Sequence, residues 1–371
     1  MSVLFDFGAI KSGGGAQLAL NFLEQLSALP SWDKQNAIVI PEVGPLAHSK
    51  LTGSFKNLLI SPNSYLKRMG FEYLSVPSAI RTLEIKMAFT FFGTGLPVPA
   101  GIESIVQVAY PIICYPESPF WDHLSPTSQL RIKALNHLRV HRLKQASRII
   151  AETEVMKRRL SEVLGTPLGL IEVMPPAPSE YVHLLDRTID QQRNRFLFVS
   201  GNAPHKNLWR LYSVAERLKS MGVNAFTFIL TVSKESYVHS LKETSIDQTL
   251  LSTHFRFLGN IHPLQIMNAY EAADFVCSLS DLESFTNNYM EAWTAGLPLI
   301  ASNRDFALSI CGDSAIYVEP HDIDDVAYKI ASLLKSPEIG QKLVMSGKKK
   351  LAQLPTQSMR FQRVMQLLNL V

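Results

Sequence analysis

The chain opens the same way twice. Val3-Leu-Phe-Asp-Phe-Gly-Ala-Ile is followed by Lys11-Ser-Gly-Gly-Gly-Ala-Gln and a helical pattern over residues 18–26. Phe196-Leu-Phe-Val-Ser is followed by Gly201-Asn-Ala-Pro-His-Lys-Asn and a helical pattern over 208–218. An apolar run, a glycine-bearing turn and then apolar residues at helical spacing read as strand, turn and helix. Apolar runs at 225–231, 255–259, 275–278, 298–301 and 315–318 alternate with helical patterns, which requires a parallel sheet in the second half. Between the two openings, Met174-Pro-Pro-Ala-Pro and the polar stretch 186–195 have the composition of a connector. The expectation is an α/β chain of two doubly wound Rossmann-like domains, about 1–185 and 190–355, facing each other across a cleft. Residues 356–371 would form a closing amphipathic helix, with Phe361, Val364, Leu367 and Leu368 at helical spacing.

A length of 371 residues is enough for two cores, and 46% hydrophobic with 18% charged residues is globular composition. The net charge of +4 is modest, and no zinc spacing or RNA-binding signature accompanies it, so nucleic acid is not expected as a partner. Cys114, Cys277 and Cys311 lie far apart inside apolar runs, which suits a reducing cytoplasm and suggests no disulfide framework. The N-terminus lacks a basic region and carries Asp6 in its apolar stretch, so it reads as a strand and not as a signal peptide. Residues 87–102 are free of charge but broken by Gly93, Gly95, Pro97, Pro99 and Gly101, and read as a buried strand and turn, not a membrane span.

The candidate chemistry centres on Glu283 and Glu291. The run Asp274-Phe-Val-Cys-Ser-Leu ends in a polar turn, and a helix then returns to the apolar run at 297–301. Such a unit collects ligands at the carboxyl end of its strand, where the first N–H groups of the helix attract anions. Glu283 would sit in the loop and Glu291 about one turn into the helix, both facing one crevice, with backbone N–H groups of residues 284–288 aimed at a phosphate. Two carboxylates repel a phosphate but bind hydroxyls. The fitting ligand therefore carries a diphosphate between two polyols, a ribose and a sugar. The plainer alternative is that Glu291 caps or solvates an ordinary helix.

The run Glu283-Ser-Phe-Thr, closed by Glu291-Ala-Trp, resembles the signature of the retaining glycosyltransferases of family four, the group 1 glycosyl transferases of GT-B architecture. Relatives usually read Glu-Gly-Phe-Gly there; the spacing is kept and both glycines are replaced. The segment Gly201-Asn-Ala-Pro-His-Lys-Asn resembles the same family's diphosphate-binding loop, with Lys206 in the cationic place and Asn202 or His205 where many relatives carry arginine. Ser309 stands where relatives often carry glutamate. The resemblance implies transfer of a sugar from a nucleotide-diphosphate donor to a hydroxyl acceptor with retention, in bacterial cell-surface polysaccharide or lipopolysaccharide biosynthesis. Glu283 would hold the donor sugar, Glu291 the ribose diol, and Lys206 the departing diphosphate. Gly201, Asn202, His205, Ser284, Phe285, Thr286 and Asn287 would complete the donor site, with Gly14 and Gly15 closing over the phosphates. The first domain would serve the acceptor and the second the donor, with the last helix crossing back to the first. The nucleotide sugar is a co-substrate; no cofactor and no metal are expected. Two other readings remain at this point: a nucleotide-sugar epimerase on the same architecture, and a non-catalytic nucleotide-sugar-binding subunit.

Three further features complete the expectations. Tyr110-Pro-Ile-Ile-Cys-Tyr-Pro-Glu117-Ser-Pro-Phe-Trp-Asp-His123 reads as a strand ending in a polar, aromatic loop of the first domain, and Glu117 is the candidate to accept the attacking hydroxyl's proton. Between Arg131 and Arg159 nine basic residues face only two glutamates, which makes either a solvated cationic face or peripheral contact with anionic headgroups. That contact would suit a glycan or lipid-linked acceptor, and a protein in the cytoplasm at the inner face of the membrane. His321-Asp-Ile-Asp-Asp325 contains an Asp-x-Asp triplet, which helix capping explains better than a metal.

Overall fold

The computed structural model describes residues 2–11, 13–29, 36–186, 194–241 and 245–370. Their contacts divide the chain into two compact units, Met1–Pro116 with Pro126–Ala177 and Pro355–Val371, and Glu117–Ser125 with Pro178–Leu354. Residues 187–193, most of the polar connector, lie outside the described residues.

The first unit is built on seven parallel strands, β1 (Val3–Asp6), β2 (Ala37–Pro41), β3 (Leu58–Ser61), β4 (Met87–Thr90), β5 (Glu103–Val108), β6 (Arg148–Ala151) and β7 (Ile171–Val173). They lie in the order β3-β2-β1-β4-β5-β6-β7. The central strands β1 and β4 are buried along their whole length and almost wholly apolar, because helices cover both faces. One face packs Phe5, Phe7, Phe89 and Phe91 against the helix Gly13–Ser27 and the closing helix Gln357–Leu367, whose Phe361 ring lies 5.0 Å from Phe22. The other face buries Leu4, Val39 and Ala88 under Val76 and Ile80.

Two expectations are corrected here. The first long helix starts at Gly13, so the glycine run is its opening turn and not a loop ahead of it. The strand expected at 110–115 lies earlier, as β5; Pro111, which has no N–H to give to a ladder, instead starts a turn of 3-10 helix at Pro111–Ile113.

The second unit carries β8 (Arg195–Phe198), β9 (Thr227–Leu230), β10 (Phe255–Phe257), β11 (Phe275–Ser278), β12 (Leu299–Ser302) and β13 (Ala315–Val318) in the parallel order β10-β9-β8-β11-β12-β13. Strand order reverses between β8 and β11, which is where doubly wound sheets open a ligand crevice. Phe196 of β8 stacks on Phe275 of β11 at 4.7 Å and fixes that junction from within the core.

The helix Asn287–Ala295 follows β11 and ends at Gly296, whose left-handed φ of 72° favours glycine. The Asp-x-Asp segment caps the helix Ile323–Lys335: Asp322 accepts the Asp325 N–H at 3.0 Å, and Asp325 accepts the Glu319 N–H at 2.8 Å. No helix among the described residues is long and apolar enough to cross a membrane.

Candidate functional site

At the carboxyl end of β8 the chain runs through Ser200 and Gly201 into a single turn of 3-10 helix, Pro204–Lys206. The turn is stopped by Asn207, which is fully buried in the left-handed conformation at φ 56°. Asparagine suits this place because its short amide bonds locally while its backbone takes positive φ. Its Nδ2 donates to the Leu279 carbonyl at 2.9 Å and to Asp281 Oδ2 at 2.6 Å. The loop after β8 is thereby tied to the loop after β11. The Asp281 N–H adds a second tie, donating to the His205 carbonyl at 2.8 Å.

These ties bring Lys206 and Glu283 together, and the Lys206 ammonium pairs with Glu283 Oε1. Both side chains keep part of their surface open, 23% and 13%. A cation and an anion held at the mouth of a parallel sheet can separate toward two ligand groups, one anionic and one bearing hydroxyls.

Beside the pair stands a half-buried polar network, centred on the buried Asp281, that sequence reasoning missed. Asp281 accepts from Arg304 Nη2 at 2.9 Å through one oxygen, and from Asn207 and His321 Nε2 (2.8 Å) through the other. Arg304 also grips Glu319 with two bonds of 2.7 Å, which holds that carboxyl below its ordinary range. Arg210 Nη2 stands 2.9 Å from His321 Nδ1. Arginine only donates, so His321 accepts at Nδ1 and its proton sits on Nε2, directed at Asp281. Two acids and two arginines meet in this network, and Lys206 is paired separately with Glu283. The available signal was a cluster of charged residues just beyond β11, β12 and β13, at Asp281, Arg304 and Glu319; nothing local showed that they meet.

His205 and Asn202, the two residues expected where relatives carry arginine, bring no fixed positive charge there. Burial, with the neighbouring Lys206 charge, pushes the His205 imidazole down to about 4, so it is neutral at ordinary pH. Asn202 turns its amide to the Ser236 carbonyl at 2.7 Å. Gly201 is exposed with open space where a Cβ would stand, so the fold itself does not require glycine there.

The replaced glycines in the Glu283 motif have local explanations. Ser284 is buried, and Thr286 at φ −130° caps the helix, its Oγ1 accepting from the Asn288 N–H at 3.4 Å. Neither residue needs positive φ, so side chains are tolerated. The cap also occupies one of the N–H groups expected to face a phosphate. Asn288 Nδ2 donates to the Val199 carbonyl at 2.8 Å, which anchors the helix start to β8, while Phe285 and Asn287 are half-buried beside it.

Glu291 differs from Glu283. It is 4% exposed, its Oε2 accepts from the Tyr270 hydroxyl at 2.6 Å, and burial raises its carboxyl above the ordinary range. The two acids expected to face one crevice as equals are therefore one half-open ion pair and one buried, tyrosine-bonded group.

Glu117 is exposed, and its segment Glu117–Ser125 belongs to the second unit, not to the first as its sequence position suggested. Ser118 Oγ donates to the Asp281 carbonyl at 3.0 Å, and the Phe120 ring stands edge-on to His205 at 5.7 Å. In the first unit Gly14 is exposed, and a Cβ on Gly15 would meet Phe92 at an ordinary 3.5 Å. Among the described residues no group of three or more His, Cys, Asp or Glu side chains could hold a metal ion.

Residues 186–350 match the family profile of the glycosyl transferases group 1. No curated protein matches the chain in sequence. Among solved structures the chain is similar to Anabaena HepE in complex with UDP and glucose, at 15% identity and a TM-score of 0.71 over 100% of both chains. It is similar to sucrose-phosphate synthase from Thermosynechococcus elongatus at 14% identity and a TM-score of 0.73, over 100% of this chain and 98% of that one. WaaG, a glycosyltransferase involved in lipopolysaccharide biosynthesis, is similar at 12% identity and a TM-score of 0.73, over 98% of this chain and 99% of that one. At these identities the likeness is one of fold, and the fold is GT-B.

Proposed function

We propose that this chain, whose residues 186–350 belong to the glycosyl transferases group 1, moves a sugar from a nucleoside diphosphate donor to a hydroxyl acceptor with retention of anomeric configuration. The observation that carries the reading is the Lys206–Glu283 pair at the strand-order reversal of the second sheet, with the Asp281 network beside it. With donor bound, the diphosphate takes over Lys206 and the sugar hydroxyls take over Glu283. As the glycosidic bond breaks, negative charge grows on the leaving phosphate and Lys206 stabilises it. Neutral His205 leaves that task to the lysine. Glu291, with Tyr270 fixing one oxygen, addresses the ribose diol. The backbone near Gly14 and Gly15 is offered to phosphates, and Glu117 is the candidate proton acceptor for the incoming hydroxyl. No residue is assigned as a covalent nucleophile, so the hydroxyl attacks from the face the diphosphate leaves. No metal is required in this scheme, since a lysine carries the leaving-group charge.

Similar structures lend the chemical class: HepE was solved with UDP and glucose, and WaaG is named for lipopolysaccharide biosynthesis. A bacterial cell-surface glycan or lipid-linked acceptor is the proposed second substrate, met on the cytoplasmic side of the membrane. The test is a panel of nucleotide sugars with saccharide and lipid-linked acceptors, read by release of nucleoside diphosphate and by NMR of the new anomeric centre. Product of the donor's own configuration is expected. An inverted product would refute retention, an altered sugar released without acceptor would indicate an epimerase, and donor binding without turnover would indicate a binding subunit.

A further inference from the structure

The stretch Tyr65–Gly70, Phe71–Ser75 and Val76–Thr82 winds continuously through α-, π- and α-helical turns on the first unit. Leu66, Met69 and Tyr73 follow one another at helical steps of three and four, a pattern that ordinarily faces a core. Here that stripe faces out. Leu66 is 78% and Leu74 73% exposed, and Tyr65, Met69 and Tyr73 are exposed beside them. The opposite side does the packing, through Phe71, Val76 and Ile80.

The stripe is held, not frayed. Glu72 is buried and is the stretch's only acid; Arg68 and Arg142 each pair with it at 2.7 Å. The Arg142 guanidinium also stands 5.7 Å from the centre of the Tyr73 ring. These contacts bind the stretch to the end of the helix Pro126–Leu143, which contains no acidic residue and buries Leu143 alone. That helix adds the exposed Arg131 and Lys133, while Arg139 is half-buried over the Tyr110 ring at 4.3 Å; Leu130 is exposed at 72% and Leu138 is exposed as well. Lys67 and Arg81 are exposed on the stretch itself.

We propose that this apolar stripe and its cationic flank form a docking surface for a bilayer containing anionic lipid. Leucines and a methionine enter the acyl boundary, tyrosines lie at headgroup depth, and lysines and arginines meet the phosphates. The charge pattern selects this occupant: every exposed charged side chain from residue 65 to 82 is cationic, while Glu72 is already neutralised by two arginines. The surface lies wholly on the first unit and is independent of the donor chemistry assigned to the second.

The test is sedimentation of the full chain with vesicles of phosphatidylcholine alone or mixed with phosphatidylglycerol, at low and raised salt. Partition into the mixed vesicles is expected, weaker by about tenfold or more without the anionic lipid and weakened by salt. Leu66→Glu combined with Leu74→Glu should lower partition by about tenfold or more without changing the melting temperature, because both side chains are exposed. Lys67→Ala with Arg81→Ala should lower it severalfold and flatten the salt dependence. Absence of partition, or equal partition of the double-Glu variant, overturns the proposal. So does a dimer of the parent chain that Leu66→Glu with Leu74→Glu dissociates, since the face would then be an interface between copies. Binding of donor by each variant separates failure here from failure of the transferase reading.

Discussion

The two strand–turn–helix openings share a topology and differ in what the turn contains. After β1 the helix begins on glycines; Gly14 is exposed, Gly15 has room for a side chain, and no acidic residue sits in the first turn. After β8 the chain is wound tightly through Pro204–Lys206 to a buried left-handed Asn207, and that asparagine is bonded to Leu279 and Asp281. The first turn offers bare backbone. The second offers a charged side chain held on a buried scaffold. Chemistry therefore does not come with the doubly wound sheet; it comes from the residues that fill the turn.

The largest expected contrast between the openings is kinetic. Lys206→Ala should reduce turnover by about two to three orders of magnitude, the usual effect of removing one group that stabilises developing charge. Gly15→Ala should reduce it far less. Steady-state kinetics on both variants break the comparison if the ranking reverses.

The next effect is thermodynamic and belongs to the second opening. Asp281→Ala removes one acceptor each from Asn207, Arg304 and His321, while Asn207 keeps the Leu279 carbonyl and Arg304 keeps Glu319. Losing hydrogen bonds of this kind around a buried carboxylate costs about 2 kcal/mol. Urea unfolding measures it, and a loss under about 1 kcal/mol would show that the network does not hold the two loops.

A pH comparison separates the units by sign. Burial raises Asp6 of β1 from 3.8 to about 6, so the fold favours its protonated form. That contribution is complete below about pH 4 and is lost as pH rises through 6. His205 is depressed from 6.5 to about 4, so its neutral form is favoured. Its contribution is complete above 6.5 and is lost as pH falls toward 4. Each shift amounts to at most about 3 kcal/mol at 1.36 kcal/mol per pKa unit. Unfolding free energies between pH 4 and 7 should lose one slope in Asp6→Asn and the opposite slope in His205→Phe. Parallel curves for the parent and both variants would contradict the assignment.

The smallest effect is the stability of Gly15→Ala. Alanine suits a helical turn better than glycine and meets Phe92 at an ordinary distance, so a change within about 1 kcal/mol, in the stabilising direction, is expected. Calorimetry showing a large loss would mean that the fold, and not a ligand, requires that glycine.

The sheets were legible because their strands are short apolar runs buried on both faces, and alternation with helices leaves few topologies. The positions of Glu283 and Lys206 were legible from their spacing to neighbouring strands and turns. Their ion pair was not, since it joins residues 77 apart in the chain. The same holds for the network, where His321 meets Asp281 across 40 residues and Arg304 meets it across 23. Glu117–Ser125 sits inside the first unit's stretch of sequence, yet Ser118 and Phe120 contact Asp281 and His205 of the second unit, a long-range packing with no periodic signature. The neutrality of His205 follows from burial, which a lone histidine in a turn does not advertise.

Thermal melting of the parent chain and of Lys206→Ala, each titrated with a panel of nucleoside diphosphates and their sugars, asks most directly whether Lys206 receives a diphosphate. A ligand that binds only the native state raises the melting temperature in proportion to the logarithm of its concentration. At least one compound should stabilise the parent and lose most of that effect in the variant. Equal stabilisation of both proteins, or none of the parent by any nucleotide, would contradict the account.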